Sequence, residues 1–266
     1  MGTSPAADVA PEIDRLVLAV NGAVDNARLS AASGDRIVDW MVVNQLGDFL
    51  AAGELTQQIA TSRSPYRPRE VVRARIHDLV EQGLVEHRGK ALGATDELWP
   101  LIRAFLDARA DAAATMWRGH EDDVEHASRT AEKLRALASD DHVVAAAHRA
   151  LPAPEDPYLR LHSRLVTLRY VRQQDHVEAW MAHGLSAVEA VTMTALWQGE
   201  TVEPGAALAD LISRGLASDD PALTDVGRRL RDAIETDTNE RAQVIFDALG
   251  ENETAEFLAV LRRLPG

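Results

Sequence analysis

The sequence predicts a mainly α-helical protein of two lobes, the second a shortened repeat of the first. Three observations carry this expectation. Apolar residues recur at helical spacing along most of the 266 residues. The phrase Leu79-Val80-Glu81-Gln82-Gly83-Leu84-Val85 returns as Leu211-Ile212-Ser213-Arg214-Gly215-Leu216-Ala217. Between the two phrases, Pro152, Pro154 and Pro157 stand too close together for a helix interior. The expected units are therefore a disordered leader (1–11), an N-terminal lobe with long helices (12–151), a Pro-rich linker (152–157) and a C-terminal lobe (158–266).

The elements of the first lobe follow in order. Ile13, Leu16, Val17, Val20 and Val24 predict a helix from Glu12 to about Ser33, and Asp35 to Leu50 predicts a second. A short helix holds Leu55 and Ile59. After a loop with Ser64 and Pro65, Pro68 opens another helix that Gly83 ends, because proline suits a first turn and glycine a C-terminal stop. Leu84 to Leu92 has the pattern of a strand, a turn and a return strand. Three helices and such a wing make a winged helix. A long helix then opens near Thr95 or Asp96 as N-cap and passes Arg118, with more helix to about Leu151.

The second lobe repeats these signals after a helix from Tyr158 to His183. Ser186 and Glu189 form a capping box ahead of a helix to Trp197. A helix with Leu208, Leu211 and Ile212 follows, and helices through Leu249 and from Glu251 to Leu264 end the pattern. The interval from Gly53 to Gly83 is almost twice that from Gly199 to Gly215, so the second copy has room for about one helix less. A helix-turn-helix needs both of its helices, which makes the first lobe the better DNA reader.

Composition narrows the function. The chain has no cysteine, which excludes disulfides, thiolate metal sites and cysteine nucleophiles. It carries no signal-peptide pattern and no apolar run of bilayer length, so the expectation is a cytoplasmic protein without membrane contact. No nucleophile motif or phosphate loop argues for an enzyme. The net charge of −14 repels a polyanion, so a nucleic-acid contact needs a local basic patch.

Gly184-Leu185-Ser186 before a helix, Arg214-Gly215-Leu216 before a wing, Leu223-Thr224-Asp225-Val226-Gly227-Arg228 after it, and a terminal helix pair split at Leu249-Gly250-Glu251 together resemble a MarR-type regulator. The first half is similar through Glu81-Gln82-Gly83-Leu84-Val85 and Ala94-Thr95-Asp96. The resemblance implies two winged-helix lobes joined by long helices, in which one chain imitates the family's homodimer, as a monomeric pseudo-dimer or as a homodimer of such chains. It also implies double-stranded DNA and a small-molecule effector as partners. The second wing, Ser218-Asp219-Asp220-Pro221, departs from the family by being acidic.

Three sets of residues are candidates for chemistry. From Arg63 to Lys90, seven basic residues outnumber four acidic ones, and Arg63, Arg67, Arg69, Arg73, Arg88 and Lys90 are the expected DNA contacts. Against this, helix geometry turns Glu70, His77, Asp78 and Glu81 outward and leaves Arg73 and Arg75 on the flanks. The second set is Arg169, Arg172, His176 and Trp180, which in an apolar cleft between lobes would recognise an anionic aromatic ligand; the alternative makes Trp180 a core residue. No cofactor is required, although His176 could ligate haem. Third, Asp122, Asp123, Glu125 and His126 have metal-ligand spacing on a helix but no evident third ligand, and a solvated acidic face is the alternative. The expected function is a ligand-responsive, DNA-binding transcriptional regulator. The alternative is a winged-helix scaffold that has abandoned DNA and binds or acts on a small molecule.

Overall fold

A computed structural model describes residues 5–24 and 40–266. Their helices are α1 (Pro5–Gly22), α2 (Trp40–Ala52), α3 (Gln57–Arg63), α4 (Arg69–Glu81), α5 (Trp99–Trp117), α6 (Glu121–Leu137), α7 (Val143–Ala150), α8 (Pro157–Ala182), α9 (Ala187–Gln198), α10 (Ala206–Ser213), α11 (Asp225–Leu249) and α12 (Glu251–Arg263). Two strands, β1 (Val85–Arg88) and β2 (Ala91–Ala94), form an antiparallel hairpin between α4 and α5 with Val85 opposite Ala94. The protein is mainly α, as the periodicity predicts. The expected end of the first helix near Ser33 and the start of the second at Asp35 lie outside the described residues.

Helix α8 is the spine. Leu161, Leu165, Thr167, Leu168 and Val171 are buried where α1, α5, α6, α7 and α11 pack around it. Its start obeys simple rules: Asp156 accepts a hydrogen bond from the Leu159 amide at 2.7 Å, and Pro157 occupies the first turn, where its missing N–H costs nothing. Pro157 thus opens a helix instead of closing the linker. Helix α12 returns to α1 and α6. Arg15 donates to the Leu261 and Leu264 carbonyls at 2.9 and 3.1 Å, and the fully buried Trp117 donates its indole N–H to the Pro265 carbonyl at 3.0 Å.

Two hydrophobic cores result. The larger gathers α1 to α8 with the ends of α11 and α12, including Leu16, Phe49, Ile102, Leu134, Phe246 and Phe257. The smaller joins the C-terminal half of α8 to α9, α10 and the start of α11 through Trp180, Met193, Leu211 and Ile234. Both α8 and α11 run through the two cores.

The repeated phrases fold alike. Gly83 and Gly215 end α4 and α10 at φ +67° and +68°, a region that favours glycine. Thr95 donates its hydroxyl to the carbonyls of Gly83 and Leu84 at 2.7 and 3.0 Å; Thr224 donates to those of Gly215 and Leu216 at 2.7 and 3.3 Å. Between α9 and α10, residues 199–205 form no helix where the first copy has α3. The second hairpin is reduced to one bridge, Ala217 to Leu223. Gly227 is required here, because a Cβ would lie 2.0 Å from the Leu216 carbonyl oxygen.

Two expectations need correction. Residues 5–11 of the expected leader are helical, because Ala6, Val9 and Ala10 are buried and begin the stripe that Ile13 continues. Neither Thr95 nor Asp96 caps α5, whose N-cap position is Leu98. Thr95 is instead spent on the carbonyls of the preceding turn, and its own carbonyl accepts from the Leu98 and Trp99 amides.

Candidate functional site

The turn between α3 and α4 and one face of α8 enclose a cleft of about 320 Å³. Arg63 ends α3, and Tyr66 and Arg67 come from the turn; Arg169, Arg172 and His176 come from α8, where spacings of three and four residues put them on one face, with Tyr170 beside them. Asp14 of α1 and Gln45 of α2 complete the rim. Four arginines thus meet in a chain of net charge −14, with Asp14 the lining carboxylate.

The arginines are not equally neutralised. Arg169 pairs with Asp14 at 2.5 Å, and Arg172 with Glu235 of α11 at 2.9 Å. Arg63 donates to Gln173 at 3.5 Å and lies 4.7 Å from the centre of the Tyr170 ring, and no carboxylate among the described residues pairs with it. The Nε atoms of Arg63 and Arg172 are buried donors without an acceptor among the described residues. Such donors cost free energy until an acceptor meets them, so the cleft suits an anion.

His176 sits at the inner end. Its Nδ1 is 3.1 Å from Thr238 Oγ1, and Thr238 donates its own hydroxyl to the Ile234 carbonyl at 2.7 Å. Thr238 must therefore accept, which puts the proton of the neutral ring on Nδ1. Burial lowers the His176 pKa; Arg172 and Arg231 push the same way and Glu235 opposes them. The turn is tied to this wall, since Gln173 Nε2 donates to the Arg63 carbonyl at 3.3 Å and Ser64 donates to Gln45 at 3.3 Å.

The structure redistributes the residues that the sequence grouped. Arg63 and Arg67, expected at DNA, line the cleft with Arg169, Arg172 and His176. Arg69 and Arg73 stay exposed, one turn apart on a flank of α4, and Lys90 is exposed at the hairpin tip. Arg88 does not project. It folds back across the hairpin, pairs with Glu86 at 3.1 Å, donates to the Ala94 carbonyl at 3.1 Å and covers Gly93, where a Cβ would come within 2.6 Å of it. Trp180 does not line the cleft. It packs in the smaller core with Leu185, Ala190 and Met193, beside a void of about 20 Å³ that it shares with His176.

The acidic cluster is held by cations. Gly119, at φ +87°, breaks the chain before α6; Asp123 pairs with Arg263 at 2.5 Å, and His126 lies 3.7 Å from Glu256. The side-chain hydrogen bond and charge of Arg263 hold the Asp123 carboxyl below its usual range.

A helix-turn-helix family matches residues 90–265, about two thirds of the chain. The chain belongs to this family. The matched residues include α9, α10 and the bridged turn of the helix-turn-helix protein, and leave out α3 and α4. Comparisons with curated proteins and with solved structures give no match. No helix among the described residues is long and apolar enough to cross a membrane.

Proposed function

We propose that this helix-turn-helix protein is a ligand-responsive DNA-binding transcriptional regulator with two MarR-like winged-helix copies in one chain. The copy formed by α3, α4 and the hairpin contacts DNA, and an anionic effector enters the arginine cleft. One observation carries the reading: the turn that joins α3 to α4 is itself a wall of the cleft. An occupant that bridges Arg63 to Arg172 touches the turn and α8 together, and so has a different affinity for each position of the reading helix. Such a difference shifts the population of the two states.

The recurring threonine ties behind Gly83 and Gly215 support a tandem origin. The division of labour rests on what each copy retains. Arg69, Arg73 and Lys90 remain exposed in the first. In the second, α3 has no counterpart, Arg214 is spent on Glu189 at 2.8 Å, and the turn carries Asp219 and Asp220. The acidic residues of α4, Glu70, Asp78 and Glu81, are exposed as well and favour the alternative of a small-molecule binder without DNA.

The test is binding to labelled duplex from the upstream region of its own gene, titrated with salt, with and without benzoate as an aromatic carboxylate probe. Replacing Arg69 and Arg73 by alanine is expected to weaken binding and lower the salt slope by about 1 per lost phosphate contact. Saturating benzoate is expected to change the DNA affinity by about 5- to 100-fold, and Arg63→Gln to abolish that response while DNA is still bound. No binding at low salt would remove the regulator; a benzoate response that survives Arg63→Gln would remove the cleft from the mechanism.

A further inference from the structure

We infer that a second cavity, nearer the N-terminal end of α8 than the arginine cleft, is a binding site for a small, neutral, apolar molecule that carries one hydroxyl group, of the phenol type. The cavity, about 320 Å³, lies between α2, α5, the end of α7 and the start of α8, at the lower end of the range of small-molecule pockets. It shares no lining residue with the arginine cleft. Its walls are mostly apolar, formed by Ala52, Leu106, Leu151, Pro152 and Leu159, and its polar groups are Asp48, Arg109 and His148 with Ser163 of α8.

The floor selects the ligand. Arg109, almost fully buried, grips Asp48 with two bonds of 2.5 and 3.1 Å, so the pair is neutral as a unit. The carboxylate can accept more bonds than these two. Thr167 donates its hydroxyl to the Ser163 carbonyl at 3.2 Å and accepts from His148 Nδ1 at 2.8 Å. Nδ1 is thus occupied by Thr167, and Nε2 is the ring nitrogen left on the Asp48 side. His148 Nε2 and Asp48 Oδ2 are 3.9 Å apart, too far to bond each other. A hydroxyl group, which both donates and accepts, fits the gap between them: it donates to the Asp48 carboxylate and meets His148 Nε2 with its hydrogen or its lone pair. An anion would meet the Asp48 carboxylate at this floor, and a cation would meet a carboxylate already neutralised by Arg109.

The shape supports the same occupant. Pro152 and Pro154 hold the α7–α8 connection over the cavity, and the His148 ring is wedged edge-on between Phe49 at 5.8 Å and Tyr170 at 5.2 Å. The hydrogen-bonding edge of His148 is thus fixed before a ligand arrives, which lowers the cost of ordering it.

Calorimetric titration of the full chain with 4-ethylphenol, ethylbenzene and 4-ethylanisole, the methyl ether that lacks the hydroxyl hydrogen, tests the assignment. The phenol is expected to bind at least about tenfold more tightly than either analogue, the margin of a buried hydrogen bond to a charged acceptor. Ala52→Trp, at an exposed position on the cavity wall, is expected to abolish phenol binding while thermal unfolding and benzoate binding stay unchanged. Equal binding of phenol and ethylbenzene, preference for the ether, phenol binding that survives Ala52→Trp, or no phenol binding to the folded wild type would each overturn the inference. Benzoate binding reports separately on the arginine cleft.

Discussion

His162 is a buried ring without a hydrogen-bond partner on either nitrogen among the described residues. Burial pushes its pKa down to about 3, and the nearby Arg109 adds to the effect while Asp48 opposes it. The unfolded chain titrates near the ordinary value of about 6.5. Between these two values the unfolded state binds a proton that the folded state refuses, so stability falls as the pH drops below about 6.5. Going from pH 7 to pH 5 is expected to cost about 2 kcal/mol through this residue. Urea unfolding of wild type and His162→Leu at both pH values checks it. The pH-dependent loss should shrink by that amount in the variant, and comparing each protein with itself cancels the change in packing. An unaltered loss would mean that the ring titrates normally in the fold.

At the scale of the element, the two copies use one threonine in two ways. Thr95 ties the turn behind α4 and leaves the start of α5 to Leu98. Thr224 makes the same tie behind α10 and also caps α11 by accepting from the Gly227 amide at 3.1 Å. Thr95→Ala is therefore expected to cost about 1 kcal/mol and Thr224→Ala about 2 kcal/mol, since only the second removes a cap as well as a tie. Chemical denaturation of the two variants measures the difference, and equal costs would show that the cap contributes nothing.

For the whole molecule, the decisive feature is two cores of unequal size threaded by the same two helices. The smaller core buries fewer apolar side chains and should open at lower free energy than the larger. Leu211→Ala removes a fully buried side chain from the smaller core, at a cost of about 3 kcal/mol. Hydrogen exchange in the variant is expected to quicken by about a hundredfold for amides of α9 and α10 and to leave those of α5 and α6 unchanged. Uniform acceleration would show that α8 and α11 couple the cores into one unit.

Local signals determined the local structure. The Ser186–Glu189 capping box, the hairpin after α4 and the helix missing from the second copy were all legible, because capping, turn chemistry and 3.6-residue periodicity act between near neighbours. Arg69, Arg73 and Lys90, three of the six residues expected at DNA, are exposed, and Arg169, Arg172 and His176 share one face of α8. The tertiary structure alone decided that Arg63 turns inward onto Tyr170, that Arg88 lies back on its own hairpin, and that Trp180 joins a core. It also brought Asp48, Arg109 and His148 together from three helices. A trace of that last site was present in the sequence: Arg109 lies one turn after Phe105 on the buried stripe of α5, where a charge demands a partner. Which partner it finds depends on how helices distant in sequence pack, and no spacing along the chain encodes that.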